Sequence, residues 1–384
     1  MTVFPTDKFK ELRTPFYYYD MNLLNETLSI VKKESRKHDF HVHYAIKANA
    51  NDRILEKIRE NGFGVDCVSG YEIQKALDVG FSADGIVFAG VGKADWEIEL
   101  GLKNDIYCFN VESLPELEII NDHAHKMGKK ARVAFRINPN VHANTHHYIT
   151  TGLDENKFGI SMMDLENVLD KMVDMKNVQF EGMHFHIGSQ ITDLDNFKDL
   201  CLRVNELQEW FISKHLFPKV INVGGGFGID YDNPDDNPIP DFAPYFKVFK
   251  DFLTVKPGQE VHFELGRSVV AQSGNVISRV LYVKEGVKTK FAILDAGMTD
   301  LIRPALYQAG HKVENISNPE GAKTRYDVVG PICESSDSFG KALDLPEMQR
   351  GNLVALRSAG AYGEVMVSRY NLRENPPAYY SDSL

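Results

Sequence analysis

A chain of 384 residues, 43% of them hydrophobic, is long enough for two or three domains with substantial cores. Its 54 acidic residues outweigh 43 basic ones, and the net charge of −11 argues against a nucleic-acid or acidic-membrane surface, though a local basic pocket could still take a phosphate. The four cysteines (Cys67, Cys108, Cys201, Cys333) form no CxxC pair, residues 1–13 carry no apolar signal region, and no run of about 18 apolar residues occurs; the chain therefore reads as a cytoplasmic protein from a reducing compartment, without disulfide framework or membrane span.

The first strand-like piece is 16–19. From residue 42 to 264 short apolar runs, predicted as strands, alternate with amphipathic stretches, predicted as helices. The strands fall at 42–46, 64–67, 86–89, 106–109, 131–137, 182–186, 220–223 and 261–264, and the clearest helices at 54–59, 71–79, 114–127, 163–172 and 196–214. Ser69 and Ser113 stand at N-cap positions, with Glu72 and Glu116 placed to complete capping boxes. About eight βα units in about 220 residues is the arithmetic of a (β/α)8 TIM barrel, with an open doubly wound sheet as the alternative. The Asp- and Pro-rich stretch 230–241 reads as a linker. Beyond Arg267, β-branched runs at 276–285, 290–295, 323–329 and 352–357 predict a mostly antiparallel β-domain, which 16–19 can join. The fold class is thus α/β plus β: an N-terminal segment 1–26 joining the β-domain, a barrel over 27–265, and the β-domain over 266–384.

Active sites of TIM barrels lie at the C-terminal ends of the strands. There Lys47 ends the first run, Asp66 the second, Arg136 the fifth and His186 the sixth; Gly224, Gly225 and Gly226 follow the seventh, and Glu264-Leu265-Gly266-Arg267 closes the eighth. Burial disfavours an ammonium and makes a lysine a nucleophilic amine suited to carbonyl compounds; the plain structural reading is a lysine that snorkels to the surface. The glycine run fails the G-x-G-x-x-G pattern, because Ile229 stands where the last glycine is needed, so it is either a phosphate-binding turn or simply a tight one. His184 and His186 share a strand face and could bind zinc, but no third ligand stands out; His184 reads better as a core histidine. Ser189, just beyond, could touch phosphate. A carboxylate ending an apolar strand, Glu264, needs a cationic partner, either a protonated pyridine nitrogen or an arginine such as Arg267. Cys333, in a turn beside Glu334, is a candidate proton donor or an inert buried thiol. Arg303 and Tyr307 lie one helical turn apart, where Arg303 could grip a carboxylate or merely begin a solvated helix. Tyr362, between small residues, could bond a phosphate or pack as core. His142, His146 and His147 read as a polar loop, and no metal is expected.

Eight pieces carry a resemblance: YAIKAN at 44–49, THHYITTGLDENKFGI at 145–160, HFHIGSQ at 184–190, GGGFG at 224–228, ELGR at 264–267, DAGMTDLIRPALY at 295–307, GPICESSD at 330–337 and GAYGEVMVSRYN at 360–371. In this order they resemble the fold-type III pyridoxal 5'-phosphate (PLP) decarboxylases, alanine racemase-like in fold, and among them those acting on meso-2,6-diaminopimelate. The resemblance implies a carboxy-lyase that yields L-lysine and CO2, the last step of lysine biosynthesis. It implies that Lys47 bonds covalently to PLP, His186 stacks on its ring and Glu264 pairs with its pyridine nitrogen. Ser189, Gly224, Gly225, Gly226 and Tyr362 would hold its phosphate, Gly266 would also contact the cofactor, and Asp66 and Arg136 would lie near Lys47 and the ring. Arg267, Arg303, Tyr307, Glu334 and Tyr362 would hold substrate, and Cys333 would supply the proton. In that family Cys333 and Glu334 enter from a partner, which implies a homodimer. Leu265 departs from the proline usual in the family. Other readings are a decarboxylase of ornithine, arginine or a carboxylated polyamine, a racemase with an acid–base group on each ring face, and a PLP carrier without activity.

Overall fold

The computed structural model describes residues 4–139 and 157–384. His142, His146, His147 and residues 145–156 of the third motif lie outside these described residues. The chain divides into two units, one of Leu28–Gly228 and Asp241–Gly266, the other of Met1–Thr27, Ile229–Pro240 and Arg267–Leu384.

Strand β1 (Phe16–Tyr19) comes first. Eight parallel strands follow: β2 (Phe40–Ala45), β3 (Gly64–Cys67), β4 (Ile86–Phe88), β5 (Cys108–Val111), β6 (Ala131–Arg136), β7 (Val178–His184), β8 (Val220–Asn222) and β9 (Glu260–Leu265). They close into a barrel in sequence order, β9 pairing with β2 from Phe40↔Val261 to Tyr44↔Leu265. The doubly wound alternative is therefore set aside.

The connecting helices are Asp52–Glu60, Gly70–Val79, Asp95–Lys103, Leu114–Lys126, Leu165–Met172, Asp195–Ser213 and Phe242–Phe252. Ser69 and Ser113 accept from the N–H groups of Glu72 and Glu116, as the sequence predicts. The two glutamates, however, reach back to the N–H groups of Val68 and Glu112, one residue before the cap, so the boxes are not closed on the serines. Between strands and helices lies an aromatic layer: Phe249 meets Phe263 edge-on with centroids 4.8 Å apart, and Phe227 stacks on Tyr245 at 4.4 Å. Each such pair adds about 0.5–1.5 kcal/mol beyond its burial.

Inside the barrel the usual branched aliphatics give way to small and polar groups. Val87, Cys108 and Ala134 make a small apolar layer. Above it are Asp66, Asn110, Arg136, His184, Asn222 and Glu264, all buried; below it are His43 and His262, also buried. Polar groups this deep need partners, and those partners define the site.

The second unit is built on strand β10 (Gly274–Glu285), with β11 (Lys290–Leu294), β12 (Val313–Asn315), β13 (Lys323–Val329), β14 (Ser338–Pro346), β15 (Leu353–Leu356) and β16 (Ala378–Tyr380). The path β12-β15-β10-β11-β13-β14 carries β1 antiparallel to β10 and β16 parallel to β1; β11 and β13 are also parallel. Twelve-residue β10 pairs with β15 through Arg279 and with β11 from Val280, with a register shift between Val280 and Tyr282. Phe9, Phe16, Tyr18, Ile277, Leu353 and Ala355 form the core beneath. The stretch predicted as a linker belongs to this unit: Asp235 Oδ1 accepts from Arg357 at 3.0 Å, and Arg357 also bonds Glu314 at 2.6 Å.

Candidate active site

Lys47 lies in a single 3-10 turn, Ile46–Ala48, immediately after β2. The turn is held by the Tyr44 hydroxyl, which donates to the Asn49 carbonyl at 3.0 Å. Lys47 Nζ donates to Asp66 Oδ2 at 2.6 Å; the lysine side chain is 35% exposed and the aspartate fully buried. Burial, then the negative charge of Glu264, raises Asp66 to about 6, against the pull of Lys47. Asp66 Oδ1 is buried with no partner, an acceptor left over at the rim.

Glu264 sits near the end of β9 and is gripped by three donors. Asn222 Nδ2 and Asn110 Nδ2 reach Oε1 at 2.7 and 3.1 Å, and His184 Nε2 lies 2.9 Å from Oε2. Burial opposes its ionisation, yet His184, by its charge and hydrogen bond, and then Lys47 hold the group well below the ordinary carboxylate range. This is a fixed negative charge in a low-dielectric place, held by groups that also fix its orientation. Leu265 continues the strand in register with Tyr44, so the departure at 265 leaves this carboxylate anchored. Next to it, a Cβ on Gly266 would stand 3.0 Å from Ala48 Cβ, which explains the glycine.

His184 ends β7, and His186 lies two residues past it rather than on the strand. Burial, followed by the charges of Arg136 and Lys47, lowers His186 to about 3, so its ring is neutral at any working pH. Its Nδ1 lies 3.4 Å from the N–H of Gly225. His184 is not a fully satisfied core histidine: its Nδ1 is buried and has no partner. Arg136 pairs with buried Glu112 at 2.8 Å and covers the Phe158 ring at 4.7 Å. Ser189 follows in the same loop, half-buried.

The glycine run packs against backbone. A Cβ on Gly224 would lie 2.1 Å from the Phe185 carbonyl oxygen, and one on Gly225 1.8 Å from that of Glu264; Gly224 and Gly226 have φ of +71° and +102°. The tight turn is therefore required by the fold. It also leaves the N–H groups of Gly226 and Phe227 without acceptors among the described residues, two donors for an anion.

The other predicted residues belong to the second unit. Arg267 is buried, donates to the Tyr231 hydroxyl at 2.6 Å and stacks over Tyr362 at 4.8 Å. Arg303 is buried, lies over Tyr231 at 4.6 Å and donates to His311 Nε2 at 2.7 Å. Its Nε has no partner, and no carboxylate pairs with it among the described residues. Burial and the charge of Arg267 pull its pKa down. Tyr307 ends the same short helix, Arg303–Tyr307, and is half-buried. Cys333 is an exposed free thiol, not the buried one of the plain structural reading. Beside it Glu334 is also exposed and accepts from the Tyr370 hydroxyl at 2.7 Å.

His311 has a testable consequence. Its Nδ1 donates to the Arg357 carbonyl at 2.7 Å, so Nε2 is free to accept from Arg303 only while the ring is neutral. Burial and Arg303 lower it to about 3. A depressed histidine contributes stability that is full above the unfolded value of about 6.5 and is lost as pH falls toward the folded value, about 2 kcal/mol by pH 5. Urea denaturation near pH 7.5 and near pH 5 should show wild type losing about 2 kcal/mol more than His311→Gln; equal losses would contradict the assignment.

Residues 22–271 match the pyridoxal-binding domain of the pyridoxal-dependent decarboxylases. Over its whole length the chain is 61% identical to a diaminopimelate decarboxylase of Bacteroides thetaiotaomicron, covering 99% of that protein. It is 41% identical to one from Helicobacter pylori over 95% of this chain and 89% of that one. The crystal structure of the Helicobacter pylori diaminopimelate decarboxylase complexed with L-lysine superposes with a TM-score of 0.92 at 38% identity, covering 98% of this chain and 93% of that chain. The chain belongs to the pyridoxal-dependent decarboxylase family and, within it, to the diaminopimelate decarboxylases. It is an enzyme of the carboxy-lyase class.

Several groups were not singled out from sequence. Asn110 and Asn222 hold Glu264, Glu112 holds Arg136, Tyr231 holds Arg267, and His311 holds Arg303. The two asparagines left a signal, a lone amide near the end of an apolar strand. Among the described residues no cluster of three metal-ligating groups includes His184 or His186.

Proposed function

We propose that this enzyme converts meso-2,6-diaminopimelate to L-lysine and CO2 with PLP bound at Lys47. The observation that carries the reading is Glu264, a buried carboxylate kept ionised by His184 and two amides. That is the partner a protonated pyridine nitrogen requires. The residues suit the cofactor in other respects: a half-buried amine on a barrel rim, orphan acceptor and ring atoms at Asp66 and His184, and two unused N–H groups in the glycine turn. Bound PLP supplies a sink for the electron pair left when CO2 departs.

The chain's own groups do the rest. Lys47 binds the cofactor, and Asp66 orients its amine. His186, neutral, offers a flat face to the ring, with Arg136 beside it. Gly224, Gly225, Gly226, Ser189 and Tyr362 serve the phosphate end, and Gly266 also contacts the cofactor. Glu264 Oε1 and Oε2 hold negative charge against the ring nitrogen proton. Arg303, with Arg267 and Tyr307, grips the distal amino-acid end of the substrate, where a buried guanidinium without a carboxylate is suited to bidentate contact. Cys333 Sγ delivers a proton to the carbon that lost CO2. Its exposure, and that of Glu334, supports a homodimer in which both enter the partner's site. The cysteines are all free, in accord with a cytoplasmic setting, and among the described residues no helix is long and apolar enough to cross a membrane.

Supplying meso-diaminopimelate, L-ornithine and L-arginine separately tests the reading. CO2 and L-lysine should form from the first at least about 100-fold faster than CO2 forms from the others, the discrimination expected when a buried charge is left unpaired. Equal or greater release from ornithine would contradict it, and epimerised diaminopimelate without CO2 would point to a racemase. A monomer in sedimentation at micromolar concentration would remove the dimer.

A further inference from the structure

The bottom of the barrel, at the opposite ends of the strands from Lys47, holds a second polar cluster that the reaction does not use. His41 and His43 lie on β2 and Glu260 and His262 on β9, with His41 directly opposite His262 in the seam that closes the barrel. The three imidazoles adjoin, His43 stacking on His262 at 5.0 Å and His41 lying tilted to it at 4.9 Å. They line an open cavity of about 470 Å³ with Tyr107, Lys32 and Arg36.

With both rings neutral, the proton count of this cluster does not close. His43 Nδ1 lies 3.2 Å from the Gly85 carbonyl, His43 Nε2 lies 3.0 Å from His262 Nδ1, and His262 Nε2 lies 3.1 Å from Glu260 Oε2. Each of these three contacts needs one hydrogen between two lone pairs. Two neutral imidazoles carry only two. Whichever tautomers are chosen, one contact sets lone pair against lone pair unless a third positive centre sits in it. His262 is 3% exposed and His43 5% exposed, so the count concerns buried groups.

We propose that His262 Nε2, Glu260 and His41 bind a divalent transition-metal ion of the zinc class. Ligand atoms of these three residues all lie within 4.8 Å of one another. The 3.1 Å between His262 Nε2 and Glu260 Oε2 is close to the edge of a zinc tetrahedron, about 3.3 Å. With the metal on Nε2, the two ring protons satisfy the other two contacts: His43 Nδ1–H donates to Gly85, and His262 Nδ1–H donates to His43 Nε2. That fixed second nitrogen is the support a ligating histidine usually has. His41 and Glu260 are exposed at the mouth and can close on the ion, with water as the fourth ligand. The ion would clip the first barrel strand to the last, closing a loop of about 220 residues, where a cross-link has much chain entropy to remove. Its role is structural, at the face where barrels build stability rather than catalysis.

Titrating untagged holoenzyme with Zn2+ by calorimetry, and with Co2+ by visible absorption, tests this. One ion per chain should bind, Co2+ should give a tetrahedral-type spectrum, and Zn2+ should raise Tm. His41→Ala and Glu260→Gln, both at exposed positions, should each weaken binding at least tenfold and remove the Tm rise, with decarboxylase activity unchanged. Absence of stoichiometric binding, or binding that both variants leave intact, would overturn the proposal; the third contact would then be closed by a proton.

Discussion

Lys47→Ala is expected to lower turnover of meso-diaminopimelate by about 10⁴-fold or more, the scale on which removing a covalent catalytic group acts, and to abolish the visible absorbance of the lysine-bound cofactor. The reason is that an amine at atom Nζ is the group able to bond the cofactor aldehyde, and Asp66 at 2.6 Å orients it. The alanine variant also strips buried Asp66 of its cation, so a folding defect has to be separated from a chemical one. Lys47→Arg does this. It keeps a cation for Asp66 but offers no nucleophilic amine, and it should be as inactive as the alanine variant while unfolding within about 3 kcal/mol of wild type, the usual range of a single substitution. Wild-type turnover in either variant would end the account of this residue.

Glu264→Gln is expected to cost about 10²–10³-fold in kcat, about 3–4 kcal/mol of transition-state stabilisation, with KM changed far less. The substitution keeps the shape and the acceptor for Asn110 and Asn222 but removes the charge. His184 can adapt: its Nε2 would accept from the new amide, and the proton would move to Nδ1, which has no partner now. What cannot be replaced is the negative charge that His184 and Lys47 keep on Glu264. A neutral amide no longer holds a proton on the pyridine nitrogen, and the ring loses pull on the departing electron pair. A variant within threefold of wild type would show that Glu264 is only a structural carboxylate.

The contrast between what the sequence shows and what it hides follows the range of the interaction. Barrel strands such as Gly64–Cys67 are legible because apolar runs between helices carry a local signal. The helix Asp95–Lys103 escapes because its N-cap, Ala94, offers only backbone, with Glu97 reaching back to it. The helix Phe242–Phe252 does carry a periodic signal, with Phe242, Tyr245, Phe246 and Phe249 on one buried face, but Pro244 in its first turn and the Asp- and Pro-rich stretch before it mask the start. Strand β14 escapes because it lies at the sheet edge and exposes Lys341 and Ala342 together. At the site, Lys47, Arg136 and Glu264 stand out because a charged residue ending an apolar strand is odd by itself. The groups that hold them do not, because each acts at long range: Asn110 reaches Glu264 across 154 residues. Tyr231 was hidden in a stretch whose Asp and Pro content reads as linker, although it organises two buried guanidinium groups. The polar lower lumen was hidden for the same reason, since His41 and His262 become neighbours only when the barrel closes.

The central claim is covalent: one lysine, at one strand end, carries the cofactor. Borohydride reduction of the holoenzyme, followed by proteolysis and mass spectrometry, tests it most directly. The account predicts a single phosphopyridoxyl adduct, on the peptide that contains Lys47. An adduct on any other lysine, or none, would contradict it.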